Sequence, residues 1–322
     1  MSDLADEDKG QLLDYMNILI QQQPLREYFA LFLSDGFYFY VMAFDRKVNQ
    51  YKEFTTTFKI GLRLFWVLLN DGSPFTKMSG PKSVNFSTPT SRICLKMYLG
   101  TGLSSTVYMI DKDGVPSAIK IFKQGFNPDN EVNILRYLNE KMIQNIPTYI
   151  AHDKKSMIIT PVGEKISYQF RQHHALQLLN LLRCIHNEEV FHRDVRPSNI
   201  LLDTSDNVIL ADWGSAIRKP SNELVPYEGT ISFASPDILN NNLESHHSKA
   251  SDDLHSFVRT LFILHNPRDL PILPDEDLST KAQSVIGYWN DKLDGELWTE
   301  MVNGASNQDY DVLKKCCYVF NR

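Results

Sequence analysis

The sequence predicts an α+β protein with more than one lobe, and three observations carry that expectation. At 322 residues the chain exceeds the roughly 250 to 300 residues at which a single hydrophobic core stops growing. Runs with strand character and runs with helical periodicity follow one another along it. The apolar run Ser156 to Thr160 then breaks at Pro161-Val162-Gly163, as a hinge between lobes would.

Composition narrows the class. A hydrophobic content of 43% with 22% charged residues is that of a soluble globular protein. The longest apolar run, around residues 60–69, is short and interrupted by Arg63, so no membrane span is expected. A net charge of −6 argues against holding a nucleic-acid backbone by counterion release. Neither a nucleic acid nor a membrane is expected as a partner. Cys94, Cys184, Cys316 and Cys317 form no C-x-x-C pair, which fits reduced thiols. With a polar, acidic start lacking the features of a secretory signal, this points to the cytoplasm, the nucleus or both.

Taken in order, Asp8 to Gln23 carries Leu12, Leu13, Met16, Leu19 and Ile20 at helical spacing before Pro24. Glu27 to Ser34 and Phe37 to Phe44 are strand-like runs on either side of Asp35-Gly36, a dipeptide suited to a tight hairpin. Phe54 to Leu69 reads as a second helix, with Phe58, Leu62, Phe65, Trp66 and Leu69 on one face. Asp71 to Ser91, rich in Gly, Pro, Ser and Thr, reads as a linker. Residues 1–90 thus form a helix, hairpin, helix segment with no visible catalytic group.

Ile93 to Leu99 leads into Gly100-Thr101-Gly102-Leu103-Ser104-Ser105-Thr106-Val107. Two glycines in a strand-turn-strand let backbone N–H groups approach a phosphate, although a plain glycine hairpin reads the same way. Strand alternation in Ser117 to Ile121 puts Ala118 and Lys120 on one face. Asn127 and Pro128 open a helix in which Val132, Leu135 and Leu138 make the buried stripe. Glu131 stands where it can pair with Lys120 or simply favour the helix N-terminus. Ala175 to His186 is an apolar helix, and Ile200 to Leu202 and Val208 to Leu210 are buried strands, the second ending at Asp212-Trp213-Gly214.

The chemistry concentrates in Val190 to Leu202. Its core, His192-Arg193-Asp194-Val195-Arg196-Pro197-Ser198-Asn199, sets an acid, an amide and two fixed cations on one loop stiffened by proline. Asp194 and Asn199 are spaced to face one cavity, one orienting a nucleophilic hydroxyl and the other holding a cation, an arrangement suited to phosphoryl transfer.

These residues resemble the eukaryotic protein kinase family, over roughly Ile93 to the C-terminus. The resemblance implies a bilobal kinase-like fold in residues 91–322, with a β-rich lobe at about 91–160 and a larger, mostly helical lobe at about 164–322. It also implies ATP and Mg²⁺ as cofactors, and protein substrates phosphorylated on Ser or Thr. Gly100, Gly102 and Ser105 are similar to the glycine-rich loop, Lys120 to the strand lysine and Glu131 to its helix partner. Asp194 and Asn199 are similar to the catalytic-loop pair, and Asp212 to the metal-binding aspartate, so Asn199 and Asp212 would hold Mg²⁺. Val107, Ala118, Thr160, Val162 and Leu201 would surround the nucleotide, and Arg196 would offset charge on the moving phosphoryl group. Leu135, His192 and Trp213 would stack behind the site. Gly229-Thr230 and Ser235-Pro236-Asp237 look like the end of the activation segment, and Asp253 with Ser256 like the start of a buried helix. Arg193 could receive a phosphate on that segment, with Ser221 and Thr230 as autophosphorylation candidates.

Arg196-Pro197-Ser198-Asn199, Asp212-Trp213-Gly214 and Thr160-Pro161-Val162-Gly163 look more narrowly like the fungal-type and Crinkler-like kinases. Arg196 stands where most serine/threonine kinases have lysine. Asp237 replaces a glutamate whose arginine partner the sequence does not identify. A pseudokinase that binds nucleotide as an interaction module, and a small-molecule kinase of the aminoglycoside-phosphotransferase type, stay open as alternatives.

Overall fold

The computed structural model describes residues 6–22, 26–46, 48–70, 83–87, 90–166, 170–218, 224–241 and 243–318. It divides into two compact units, Met1–Gly114 and Val115–Arg322.

The first unit opens with α1 (Asp6–Gln22) and continues through β1 (Tyr28–Ser34), β2 (Tyr38–Asp45), β3 (Gln50–Thr57) and α2 (Phe58–Asn70). The three strands pair antiparallel with β2 in the centre. Asp35 sets the first turn: its Oδ1 accepts the main-chain N–H groups of Phe37 at 2.8 Å and Tyr38 at 2.7 Å, and Gly36 supplies φ +87°. Side chains alternate across β2. Tyr40, Met42 and Phe44 therefore pack with Leu12 and Met16 of α1, while Phe39 faces α2. There Gly61 lets the helix approach closely, since a Cβ would lie 2.3 Å from the Phe39 ring.

Three expectations are corrected here. The helix expected from Phe54 starts at Phe58, because Phe54 to Thr57 completes β3 in register with Val41 to Tyr38; the threonine run favours an extended backbone. The expected linker also contains a hairpin, β4 (Ser83–Ser87) with β5 (Thr90–Cys94). Residues 71–82 and 88–89 of that stretch lie outside the described residues. The strand expected from Ile93 is interrupted at residues 95–96, and β6 (Met97–Thr101) and β7 (Ser105–Lys112) follow as an antiparallel pair.

In the second unit, β8 (Val115–Phe122), α3 (Asp129–Glu140), β9 (Thr148–His152) and β10 (Ser156–Thr160) come first. β10 pairs antiparallel with both β8 and β9. Pro128, not Asn127, occupies the cap position of α3, and Asn127 Oδ1 still accepts the Asp129 N–H at 3.1 Å. After β11 (Glu164–Lys165) come α4 (Gln172–Asn187), β12 (Val190–Phe191), β13 (Ile200–Leu202), β14 (Val208–Leu210) and β15 (Ile217–Arg218). β13 pairs with β11 and β14, and β12 with β15. The helices α5 (Pro236–Asn240), α6 (Ala250–His265), α7 (Leu278–Lys292), α8 (Glu296–Ser306) and α9 (Tyr310–Cys317) complete it.

Residues Ala250 to Ile263 of α6 are buried without exception, so this helix is the axis of the core rather than a surface element. Leu178 and Leu182 of α4, Leu135 of α3, Trp213, and Leu254, Phe257 and Leu261 of α6 share that core. No helix among the described residues is long and apolar enough to cross a membrane.

Candidate active site

Lys120 sits on the inward face of β8 with Ala118, both buried. Its Nζ lies 2.6 Å from Glu131 Oε2, in the first turn of α3, and 2.6 Å from Asp212 Oδ1, just past β14. Burial alone would lower the pKa of the ammonium, but the two carboxylates outweigh it and raise it above the usual lysine range. Burial would likewise raise the Asp212 carboxyl; Lys120 first, then His192 and Arg196, hold it below its ordinary value. Asp212 adopts the left-handed conformation at φ 63°, a strained choice for a non-glycine residue that aims its carboxylate at Lys120.

The strain is held in place by neighbours. Asn130 Nδ2 donates to the carbonyls of Gly214 at 2.8 Å and Ala216 at 2.9 Å. The Trp213 N–H donates to Glu131 Oε1 at 3.3 Å, its indole N–H donates to Leu210 O at 2.8 Å, and its ring meets His192 edge-on at 4.6 Å.

The catalytic-loop stretch hangs from α6. Asp253, 1% exposed, accepts the main-chain N–H of His192 on Oδ2 and of Arg193 on Oδ1, each at 2.7 Å, and faces His186 Nε2 at 3.0 Å. Beyond it, Asp194 is fixed on both oxygens. Oδ2 accepts Asn199 Nδ2 at 2.9 Å and Arg196 Nε at 3.0 Å, and Oδ1 accepts the Thr230 main-chain N–H at 3.0 Å. Asn199 Nδ2 also donates to Asp194 O at 2.9 Å. Both amide hydrogens are thus engaged, leaving Oδ1 as the acceptor of Asn199. An amide oxygen and the second carboxylate oxygen of Asp212 are hard donors of the kind Mg²⁺ takes, so the residues present fit the cation.

Arg193 lies against the segment from Asp212 to Pro236. Arg193, expected to receive a phosphate, is buried, and its guanidinium donates to Ser215 O at 3.1 Å and to Pro226 O. Those terminal donors tie Ser215 to Pro226 within the segment. Ser221 lies outside the described residues. Gly229 passes so close that a Cβ would stand 2.2 Å from Arg193 O. Ser235 caps α5 and donates to Asp252 Oδ1 at 2.6 Å. Asp237 finds Lys249 as its ion-pair partner, on the surface. Arg259 is buried, donates to Ala234 O, lies 5.3 Å from the Trp289 ring centroid, and has its pKa lowered to about 9 by burial.

Of the residues singled out from sequence, Lys120, Glu131 and Asp212 are in direct contact, as are Asp194, Arg196 and Asn199. The two groups are tied by the Ala211 N–H on Asn199 O at 2.8 Å and by the charge of Arg196 felt at Asp212. Leu201 packs behind Gly163, where a Cβ would lie 2.7 Å from the leucine Cβ. Thr160 ends β10, and Val162 follows, half-buried. Gly100, Gly102, Ser105 and Val107 belong to the β6–β7 hairpin of the first unit, where Gly102 N–H donates to Ser105 O at 2.9 Å and a Cβ on either glycine would meet nothing. Sequence reasoning missed Asn130 and the Thr230 N–H. Neither carries a signal, one being an ordinary helix-start amide and the other a main-chain group.

A second cluster, His173, His174 and Asp206, is close enough to hold a metal ion. However, His174 Nδ1 accepts the Arg171 N–H at 3.0 Å, which puts its proton on Nε2, facing Asp206 Oδ1 at 3.1 Å. That is the wrong tautomer for a ligand, and the cluster instead pins the start of α4 to the β13–β14 turn.

Comparison with known proteins agrees with this geometry. The chain is 27% identical over 221 residues to the serine/threonine-protein kinase D1044.8 of Caenorhabditis elegans, covering 66% of this chain and 21% of that one. It is 30% identical over 178 residues to the serine/threonine-protein kinase PKH3 of Eremothecium gossypii, covering 44% and 24%. With an Aurora kinase of Dictyostelium discoideum it shares 23% over 180 residues, covering 48% and 47%. The chain thus spans between a fifth and a half of the length of these relatives. Among solved structures, vaccinia related kinase 3 matches with a TM-score of 0.53 at 17% identity, over 74% of this chain and 89% of that one, which shows the fold. Since the protein kinase domain matches residues 94–319, well over half of the sequence, the chain belongs to the protein kinase family.

Proposed function

We propose that the chain transfers the γ-phosphoryl group of ATP to Ser or Thr hydroxyls of protein substrates, through a kinase domain in residues 91–322. The observation that carries this reading is the closed Lys120–Glu131–Asp212 contact beside a doubly anchored Asp194. Lys120, fixed by Glu131, orients the nucleotide phosphates, a role the family likeness shares with the hairpin Gly100 to Thr106. Asp194 orients the substrate hydroxyl toward the phosphoryl group and takes up its proton, and Arg196 offsets charge beside it. Asn199 Oδ1 and Asp212 would hold Mg²⁺, which when bound neutralises charge on the phosphates. Ala118, Thr160, Val162 and Leu201 are the candidate nucleotide contacts of the second unit.

Replacing Asp194 by Ala tests the reading. Phosphorylation of a general protein substrate should fall by about 10² to 10⁴ fold, the range for losing a positioned base, while ATP-dependent thermal stabilisation persists. Nucleotide binding with no turnover in the parent protein would instead mark an interaction module. The Arg-Pro-Ser-Asn and Asp-Trp-Gly variants are the grounds for a fungal-type reading; the relatives found support the family at large and not that subgroup. Intact-mass analysis after incubation with ATP and Mg²⁺ tests modification at Ser221 or Thr230.

A further inference from the structure

α2 rests on its sheet through Gly61, Phe58 and Phe65. Phe58 stacks on Phe39 with ring centroids 5.2 Å apart, and Phe65 meets Phe32 edge-on at 5.2 Å. At 3.6 residues per turn, the side away from Gly61 carries Lys59, Arg63 and Trp66, flanked by Ile60, Leu62 and Val67. All six are exposed, Trp66 by 68%. A surface helix ordinarily turns a polar face to water. α2 is instead apolar around its girth except for two cations and its last residue, and it contains no acidic side chain. The neighbouring strand continues the pattern. Lys52 and Phe54 of β3, both exposed, share a sheet face with Ala43 and Val41, the α2 side, whereas Glu53 lies on the other face and accepts the Tyr40 hydroxyl.

We propose that this face seats on an anionic lipid surface, with α2 lying in its plane. Trp66, Ile60 and Val67 enter the headgroup boundary, and Lys52, Lys59 and Arg63 meet the lipid anions. Three considerations select this occupant. Thirteen residues make a helix of about 20 Å, too short to span a bilayer but long enough to lie in one interface. The exposed helix crest is convex, which suits a plane rather than a peptide seeking a groove. A two-fold pairing with a second copy would set Lys52, Lys59 and Arg63 against their own kind. Because the whole chain carries −6, the attraction is local and strongly salt-dependent. The composition gave no reason to expect a membrane partner; the exposure of α2 does.

The test is co-sedimentation of the full chain with vesicles of phosphatidylcholine alone or mixed with phosphatidylserine, at low and high salt. Binding to the mixed vesicles, lost at high salt, is expected. Each charge reversal, Lys59→Glu or Arg63→Glu, should weaken it on the order of thirtyfold, and Trp66→Ala should weaken binding to the mixed vesicles. Circular dichroism and phosphorylation of a soluble substrate should be unchanged in these variants, which separates failure here from failure of the kinase reading. No binding to the mixed vesicles, equal binding by the variants, a Trp66-dependent dimer without lipid, or capture by an acidic soluble peptide in place of vesicles would each overturn the proposal.

Discussion

Lys120 is the residue on which two buried or half-buried acids converge, so removing it costs more than a catalytic contact. In Lys120→Met, Glu131, 2% exposed, is left without a countercharge, and stability should drop by about 3 to 5 kcal/mol together with turnover. Lys120→Met combined with Glu131→Gln should recover much of the stability and none of the turnover; urea unfolding beside a kinase assay reads both. Arg193 gives a second prediction. Because its terminal donors already hold Ser215 O and Pro226 O, phosphatase-treated protein should keep its activity within about twofold, well under the tenfold that 1.4 kcal/mol represents. A tenfold loss would show that a phosphate completes the site. Lys120, Glu131, Asp194, Asn199 and Asp212 stood out in the sequence because few residue types could replace them in the contacts they make. The Thr230 N–H on Asp194 was not, since every non-proline residue offers the same donor.

Among the elements, α6 has the widest reach. Its Asp253 holds the loop before Asp194, its Asp252 holds Ser235, and its His255 is buried against Ser306. Burial, then the charge of Arg259, pushes His255 down to about 4 from 6.5. Its folded form is therefore the neutral one: the contribution is present above pH 6.5 and is lost as pH falls toward 4. Burial raises Asp252 to about 6, and its contribution has the opposite sign, present below pH 3.8 and lost as pH rises through 6. Comparing pH 7 with pH 5, His255→Gln should escape about 2 kcal/mol of the acid destabilisation seen in the parent, measured by urea unfolding at each pH. An identical pH dependence in both proteins would remove His255 from the account. The amphipathic helix α1 and the apolar strands β13 and β14 were readable from periodicity. β3 and the β4–β5 hairpin were not, because strands rich in Thr, Ser and charged residues carry no alternation to distinguish them from a helix start or a linker.

At the scale of the whole molecule, the proposed assignment of Asn199 Oδ1 and Asp212 to the cation predicts that nucleotide binding depends on it. ATP with Mg²⁺ at about 100 times its Kd should add about 2.7 kcal/mol. For the second unit, that is a rise in Tm of roughly 5 to 10 °C. ATP with EDTA should give a clearly smaller rise, and equal shifts would sink the assignment of those oxygens. The α+β class was visible from the interleaved strand and helix patterns, while the two compact units part elsewhere than at the Pro161-Val162-Gly163 break. The division at Gly114 and Val115 was not, because it falls at a tight turn between strand-like runs with no shift in composition.

The clasp that Arg193 forms on the segment uses carbonyl oxygens, which are alike at every position of a polypeptide. Such a fastening is blind to the side chains it encloses. The clasp itself therefore sets no requirement on side chains at Ser215 or Pro226, whereas a phosphate-operated catch would have pinned one hydroxyl residue to one place.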